Sequence, residues 1–278
     1  LNNSVGTEGI APNGLINMHI VKVIHKANYW EYWGSDVIAA VEACQTAGAT
    51  VINMSMAGST SSVAEEAAID AAYNSGTLLV GAAGNRGNNA YYYPAAYDSV
   101  ISVGAVDQAG DAWMYTQSND QIELVAPGVG VESTLPNNRY GFMDGTSAAA
   151  PFVSGVAALV WSHHPQCSND EIRNVLNATA ADKGAAGRDD TYGNGLVQAK
   201  AAVDYIDANG CGGAVAAGNP RYCKQLWDAG NTATGVFNLI PDLNTPENGF
   251  SGYCNMETAG GGWTLVDTRT NSAPAEHV

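Results

Sequence analysis

Short β-branched runs and stretches of helical periodicity alternate through roughly the first 200 residues, and few folds accommodate that pattern. Extended runs fall at 20–24, 51–54, 77–80, 100–103 and 124–125. Between them, 35–47 places Val37, Ile38, Val41 and Ala47 on one helical face, and 63–75 does the same with Val63, Ala67, Ala71 and Asn74. Ser61 or Ser62 is suited to cap the second helix and Gly76 to end it. Two more helices are expected at 169–177, where Ser168 and Glu171 have the spacing of a capping box, and at 197–206. Strand–helix–strand alternation predicts an α/β fold whose parallel sheet is covered by helices on both faces.

The composition narrows the function classes. Hydrophobic residues make up 46% of the chain and charged residues 14%, which excludes a charge-driven disordered protein. The net charge of −16 repels phosphate backbones and argues against a nucleic-acid partner. No run approaches the ~18–20 apolar residues of a membrane span. The five cysteines form no CxxC pair, so an oxidising compartment fits better than zinc. From 207 to 218 the chain becomes small and glycine-rich, as linkers are. That divides it into 1–206, a linker over 207–218, and a piece with short strands and turns over 219–278.

Two segments carry candidate chemistry. Gly145-Thr146-Ser147-Ala148-Ala149-Ala150-Pro151 sets a serine between small residues, after a glycine and before an apolar helical run. A nucleophile at a helix N-terminus needs that setting: a tight turn, room for a substrate backbone, and a favourable field for developing negative charge. Taken alone, a serine in such a stretch is usually just a helix cap. The run 77–85 is an apolar strand ending in Ala82-Ala83-Gly84-Asn85. A side-chain amide there can donate to an oxyanion, although Gly84-Asn85 alone could simply turn the chain.

Together these segments resemble the subtilase family. GTSAAAPFVSG at 145–155 is similar to its serine signature, with Ala148 and Phe152 where Met and His are frequent. VGAAGNRG at 80–87 resembles the oxyanion segment, Tyr93-Pro94-Ala95 and ISVGAV at 101–106 the intervening strand, and Val125-Ala126-Pro127-Gly128 the turn before the nucleophile. The resemblance covers about residues 1–205. It implies a secreted serine endopeptidase acting on protein or peptide substrates through an acyl-enzyme on Ser147. Asn85 and the Ser147 N–H would hold the oxyanion. By the same resemblance Ser55, Met56 and Ala57 pair with substrate backbone, with Ala57 where Gly is usual, and Ala82, Ala83 and Gly84 wall a primary pocket for large apolar side chains.

Residues 1–12, LNNSVGTEGIAP, resemble the family's calcium loop, which implies a structural Ca²⁺ held by the carbonyls of Leu1, Val5 and Thr7 and the side chain of Asn3. In the family the loop follows the catalytic histidine motif, so the chain is expected to start after its Asp and His partners and to be inactive by itself. His19, His25, His163, His164 and His277 lie outside any H-G-T-H context, and Asp144 is not assigned as the acid. Residues 219–270, with Cys223, Cys254 and GGGW at 260–263, resemble the opening of a fibrinogen-like domain. That implies a Cys223–Cys254 disulfide and a module able to hold a glycan or extracellular surface. The pairing among Cys44, Cys167 and Cys211 stays open. A non-catalytic extracellular binding protein on a degenerate protease scaffold is the alternative reading.

Overall fold

The structure is a computed structural model that describes residues 6–11, 16–24 and 32–211, together with three strands beyond them. The chain divides into two compact units, Leu1–Gly213 and Ala214–Val278.

The first unit is built on four strands, β1 (Val51–Met54), β2 (Leu78–Ala82), β3 (Val100–Val106) and β4 (Ile122–Pro127). They pair in parallel in the order β1-β2-β3-β4, with the register shifting between β3 and β4 at Ser102 and Val103. Every residue of β2 and β3 is buried, as a sheet covered on both faces requires. The strand alternation then sorts side chains between two cores. Leu78, Val80 and Ala82 pack with helices α3 (Thr146–His163), α4 (Asn169–Ala178) and α5 (Ala199–Asn209). Leu79 and Val100 face α1 (Gly34–Thr46) and α2 (Val63–Asn74) with Val37, Val41 and Ile69.

Local rules explain the helix boundaries. The Ser62 hydroxyl accepts from the Glu65 N–H, and Ser168 and Glu171 form the reciprocal capping box at the start of α4. Gly76, at φ +99°, carries the chain out of α2. Helix α5 runs to Asn209 and so extends into the glycine-rich stretch read as linker.

Four features differ from the sequence reading. The face of α2 that carries Val63, Ala67, Ala71 and Asn74 is exposed, and Glu65, Ile69 and Ala72 are the buried residues, because the helix turns their side toward α1 and the sheet. Residues 20–24 form no strand, and Ile20 is exposed. A β-branched run becomes a strand only with a hydrogen-bonded neighbour, and β1 pairs with β2 alone among the described residues. An unexpected antiparallel hairpin joins β5 (Val131–Leu135) to β6 (Arg139–Met143), turning through Asn137 and Asn138, both in the left-handed region. Finally, Cys167 and Cys211 form a disulfide and Cys44 remains a half-buried thiol, which settles a pairing the sequence left open.

The second unit contains an antiparallel sheet, β7 (Gly235–Leu239), β8 (Phe250–Asn255) and β9 (Trp263–Leu265), in that order. The expected Cys223–Cys254 disulfide cannot be placed: Cys223 and the side chain of Cys254 lie outside the described residues.

Candidate active site

Ser147 is the second residue of α3, at the end of the sheet where β1 and β2 finish. Gly145 caps the helix at φ +138°, and a Cβ there would stand 3.1 Å from Asn85 Nδ2. The backbone conformation therefore favours glycine, and the Asn85 amide leaves a side chain there little room. The first N–H groups of a helix have no partner within it. Here the Thr146 N–H donates to Asn85 Oδ1 at 2.9 Å, and the N–H groups of Ala148 and Ala149 donate to the Gly145 carbonyl. The Ser147 N–H makes no hydrogen bond among the described residues.

The Asn85 amide is oriented by Thr146. Its Oδ1 accepts from the Thr146 amide and also from the Thr146 hydroxyl, at 2.8 Å. A backbone N–H can only donate, so the atom facing it must be oxygen, and this fixes which way the amide points. Thr146 Oγ1 in turn accepts from the Gly84 N–H at 3.1 Å, closing a bracket between the end of β2 and the start of α3. Asn85 Nδ2 is left exposed and without a hydrogen-bond partner among the described residues. Two donors, this Nδ2 and the Ser147 N–H, thus stand at one helix N-terminus, an arrangement that can stabilise an oxyanion.

Ser55, one residue beyond β1, is joined to Ser147 by reciprocal bonds. The Ser55 hydroxyl donates to the Ser147 carbonyl at 2.9 Å, and the Ser147 hydroxyl donates to the Ser55 carbonyl at 3.3 Å. Met56 and Ala57 make no backbone hydrogen bonds among the described residues, and Gly58 pairs with Tyr93. This short edge can accept an extended peptide. Ala82, Ala83 and Gly84 are fully buried, with Ala82 and Ala83 packed into the core. What they can show a substrate is mainly backbone.

No described histidine reaches the serine. His163 ends α3, about 24 Å along the axis from Ser147 at 1.5 Å per residue. His164 lies 3.5 Å from Asp207, and His19 is exposed in a loop. Asp144 Oδ1 accepts from the Gly130 N–H at 2.7 Å, holding the turn before β5 rather than a base. Of the expected calcium ligands, Thr7 is described and exposed, whereas Leu1, Asn3 and Val5 lie outside the described residues. Two features of the site went unread in the sequence. Thr146 carried no signal beyond adjacency to Ser147, and Glu65, in the first turn of α2, gave none of its burial.

The Subtilase family model matches residues 1–195, and that of the C-terminal globular domain of the fibrinogen beta and gamma chains matches residues 219–275. Subtilisin DY of Bacillus licheniformis is 40% identical over 207 residues, covering 73% of this chain and 73% of that protein. A thermostable alkaline protease of Halalkalibacterium halodurans is 42% identical over 199 residues, covering 72% of this chain but 53% of its own length. Among solved structures, a psychrophilic subtilisin-like protease from an Antarctic Pseudoalteromonas superposes with TM-score 0.68 at 27% identity, covering 73% of this chain and 80% of that one.

Proposed function

This chain belongs to the subtilase family of serine endopeptidases, and we propose that it supplies the nucleophile and oxyanion hole for peptide-bond hydrolysis. Ser147 Oγ attacks the scissile carbonyl, whose oxygen becomes an oxyanion held by Asn85 Nδ2 and the Ser147 N–H. The amine leaves with a proton, and water then hydrolyses the acyl-serine. Substrate backbone pairs with the open edge at Met56 and Ala57, while Ala82, Ala83 and Gly84 bound the pocket beside the nucleophile. The observation that carries the reading is the amide of Asn85, turned by Thr146 so that its donor is left unpaired beside the serine.

A carbonyl is no base, so Ser147 bonded to Ser55 is an ordinary alcohol and a weak nucleophile. The imidazole that takes its proton, and the carboxylate that orients the imidazole, come from residues outside those described.

Calcium fits the loop at 1–7 by donor chemistry: three carbonyls and one amide are the hard oxygen ligands this ion takes. When bound, the ion would pin the loop and take no part in the reaction. The disulfide supports an exported, oxidising location, and no helix among the described residues is long and apolar enough to cross a membrane. The fibrinogen-like piece supports anchoring to a glycan or extracellular surface.

The test is a fluorophosphonate probe on the natural full-length protein beside its Ser147→Ala variant. Labelling that disappears in the variant is expected. A folded full-length protein that takes no label at Ser147 would replace this reading with that of a non-catalytic scaffold.

A further inference from the structure

A recess of about 290 Å³ opens beside the edge at Met56 and Ala57, lined by Ala57, Gly58, Tyr32, Tyr93 and Glu65. It is smaller than the usual ~300–1,000 Å³ of small-molecule pockets and suits one long side chain. Its distance from the nucleophile follows from the sequence: Gly58 is three residues beyond Ser55, about 10 Å at ~3.3 Å per extended residue. A peptide laid along this edge from Ser147 would place a side chain over the recess about three residues from the cleaved bond.

Glu65 gives the recess its chemistry. The residue is only 4% exposed, yet its carboxylate has neither hydrogen bond nor ion pair among the described residues. Oε2 sits against Gly34, where a Cβ would come within 2.8 Å of it, so glycine there leaves room for the carboxylate. Gly58 likewise keeps the wall open, since a Cβ would lie 3.1 Å from the Tyr32 hydroxyl. The remaining neighbours supply no positive charge. Tyr32 donates to the Tyr93 carbonyl, Tyr97 exchanges hydrogen bonds with the Ser62 backbone, and Glu66 is a second acid. Burial pushes the Glu65 carboxyl up, and its charge adds to the burial that pushes Tyr32 to about 12. A buried carboxylate without a partner is costly, and the cost is removed when a cation arrives with its own donors. The rings of Tyr32 and Tyr93 in the lining add faces that attract a guanidinium or ammonium.

We propose that this recess is a specificity site in which Glu65 selects a lysine or arginine side chain of the peptide substrate, about three residues from the bond that is cut. This deepens the endopeptidase reading and rests on it for the register of the peptide, but not for the binding itself.

Binding is therefore measured without turnover. Fluorescein-labelled peptides that differ at one position, with arginine or the uncharged norleucine, are titrated by anisotropy into the Ser147→Ala full-length protein and into Ser147→Ala with Glu65→Gln. The arginine peptide is expected to bind roughly tenfold to hundredfold tighter, the range of a charge-assisted hydrogen bond. With Glu65→Gln, which keeps the shape and removes the charge, the ratio is expected to fall within twofold. Equal affinities in the Glu65 protein, binding of neither peptide, or a preference that survives Glu65→Gln would each overturn the proposal. Failure of fluorophosphonate labelling with selective binding intact would instead remove only the catalytic reading. Cleavage of both peptides with no selectivity would remove only this one.

Discussion

The Ser55 hydroxyl donates to the Ser147 carbonyl at 2.9 Å, in the place that the N–H of residue 151 would take in an uninterrupted helix. Residue 151 is proline, which has no N–H and leaves the carbonyl four residues earlier without its helical donor. A side chain from the end of β1 thus completes the first turn of α3 and ties the edge at Met56 and Ala57 to Ser147, the proposed nucleophile. Ser55→Ala removes that donor. The expected loss in a urea titration is about 1 kcal/mol, together with slower fluorophosphonate labelling of the full-length protein as Ser147 loses its tether. Unchanged labelling would mean the bond positions nothing.

Asn85 and Thr146 form the next unit. Removing one oxyanion-hole donor is known from a subtilisin to cost about 10²–10³ in kcat, and the same scale is expected for Asn85→Leu in the full-length protein with KM little changed. Thr146→Val keeps the donor and the backbone bond to Asn85 Oδ1 but removes the hydroxyl bond that helps to aim the amide, so a smaller fall in kcat is expected. Steady-state kinetics on a chromogenic peptide separates the two. An equal loss from both variants, or an effect confined to KM, would refute the division into donor and positioning residue.

Much of this architecture was legible because it follows local rules. The Ser62 cap, the Ser168–Glu171 box and the buried strands 78–82 and 100–106 declare themselves in short stretches of residues. The roles proposed for Ser147 and Asn85 rest on a different kind of signal, their motif context. What escaped depends on contacts distant in sequence. The β5–β6 hairpin has mostly exposed residues and so no alternation to read. Residues 20–24 have strand composition and no described partner strand. Thr146 meets Asn85 across 61 positions, and the Cys167–Cys211 bond spans 44. An acid in the first turn of a helix ordinarily faces solvent and complements the dipole. Only the packing of α1 over α2 shows that Glu65 does not.

Two glutamates should make opposite contributions to pH-dependent stability. Burial acts to raise the Glu123 carboxyl, but the Arg173 charge and hydrogen bonds from Arg173 and Asn177 outweigh it and hold it below the usual 4.5. Arg173 Nε lies 2.7 Å from Glu123 Oε1, and its guanidinium is 5.4 Å from the Tyr73 ring centroid. A lowered carboxyl contributes stability that is complete above its unfolded value and lost as the pH falls through the folded one. Glu65, raised by burial, does the reverse: its cost appears as the pH rises through and above 4.5. Urea titrations between pH 3 and 7 should therefore show Glu65→Gln gaining stability over the parent toward neutrality. Arg173→Met should lose about 3–5 kcal/mol at pH 7 and less in acid. Parallel pH curves for the three proteins would contradict both assignments.

Calcium should act on stability and leave the chemistry alone. An ion that binds only the folded protein, supplied at 100 times its Kd, adds about 2.7 kcal/mol. Chelation of the full-length protein should lower Tm, readdition should restore it, and Asn3→Ala should shift the response to higher calcium. The ratio of labelling at Ser147 to folded protein should stay constant throughout. A Tm indifferent to chelator would dismiss the loop as a calcium site.

The Cys167–Cys211 disulfide ties the segment between α3 and α4 to the end of α5, beneath which Ala202 and Ile206 enter the core. Closing a loop of 44 residues restricts the unfolded polypeptide by about 4 kcal/mol in the chain-entropy account. Replacing both cysteines with alanine should cost up to that amount in urea. Hydrogen exchange should show where the loss begins, with the amides of α5 opening before those of β2 and β3, which lie at the centre of the core. The Cys44 thiol serves as the internal control. It is half-buried on α1 and its proton is held more tightly by burial, so Cys44→Ala should leave the exchange of α5 unchanged. If α5 opens no earlier in the double variant than in the parent, the bond does not secure the helix and its stabilisation lies elsewhere.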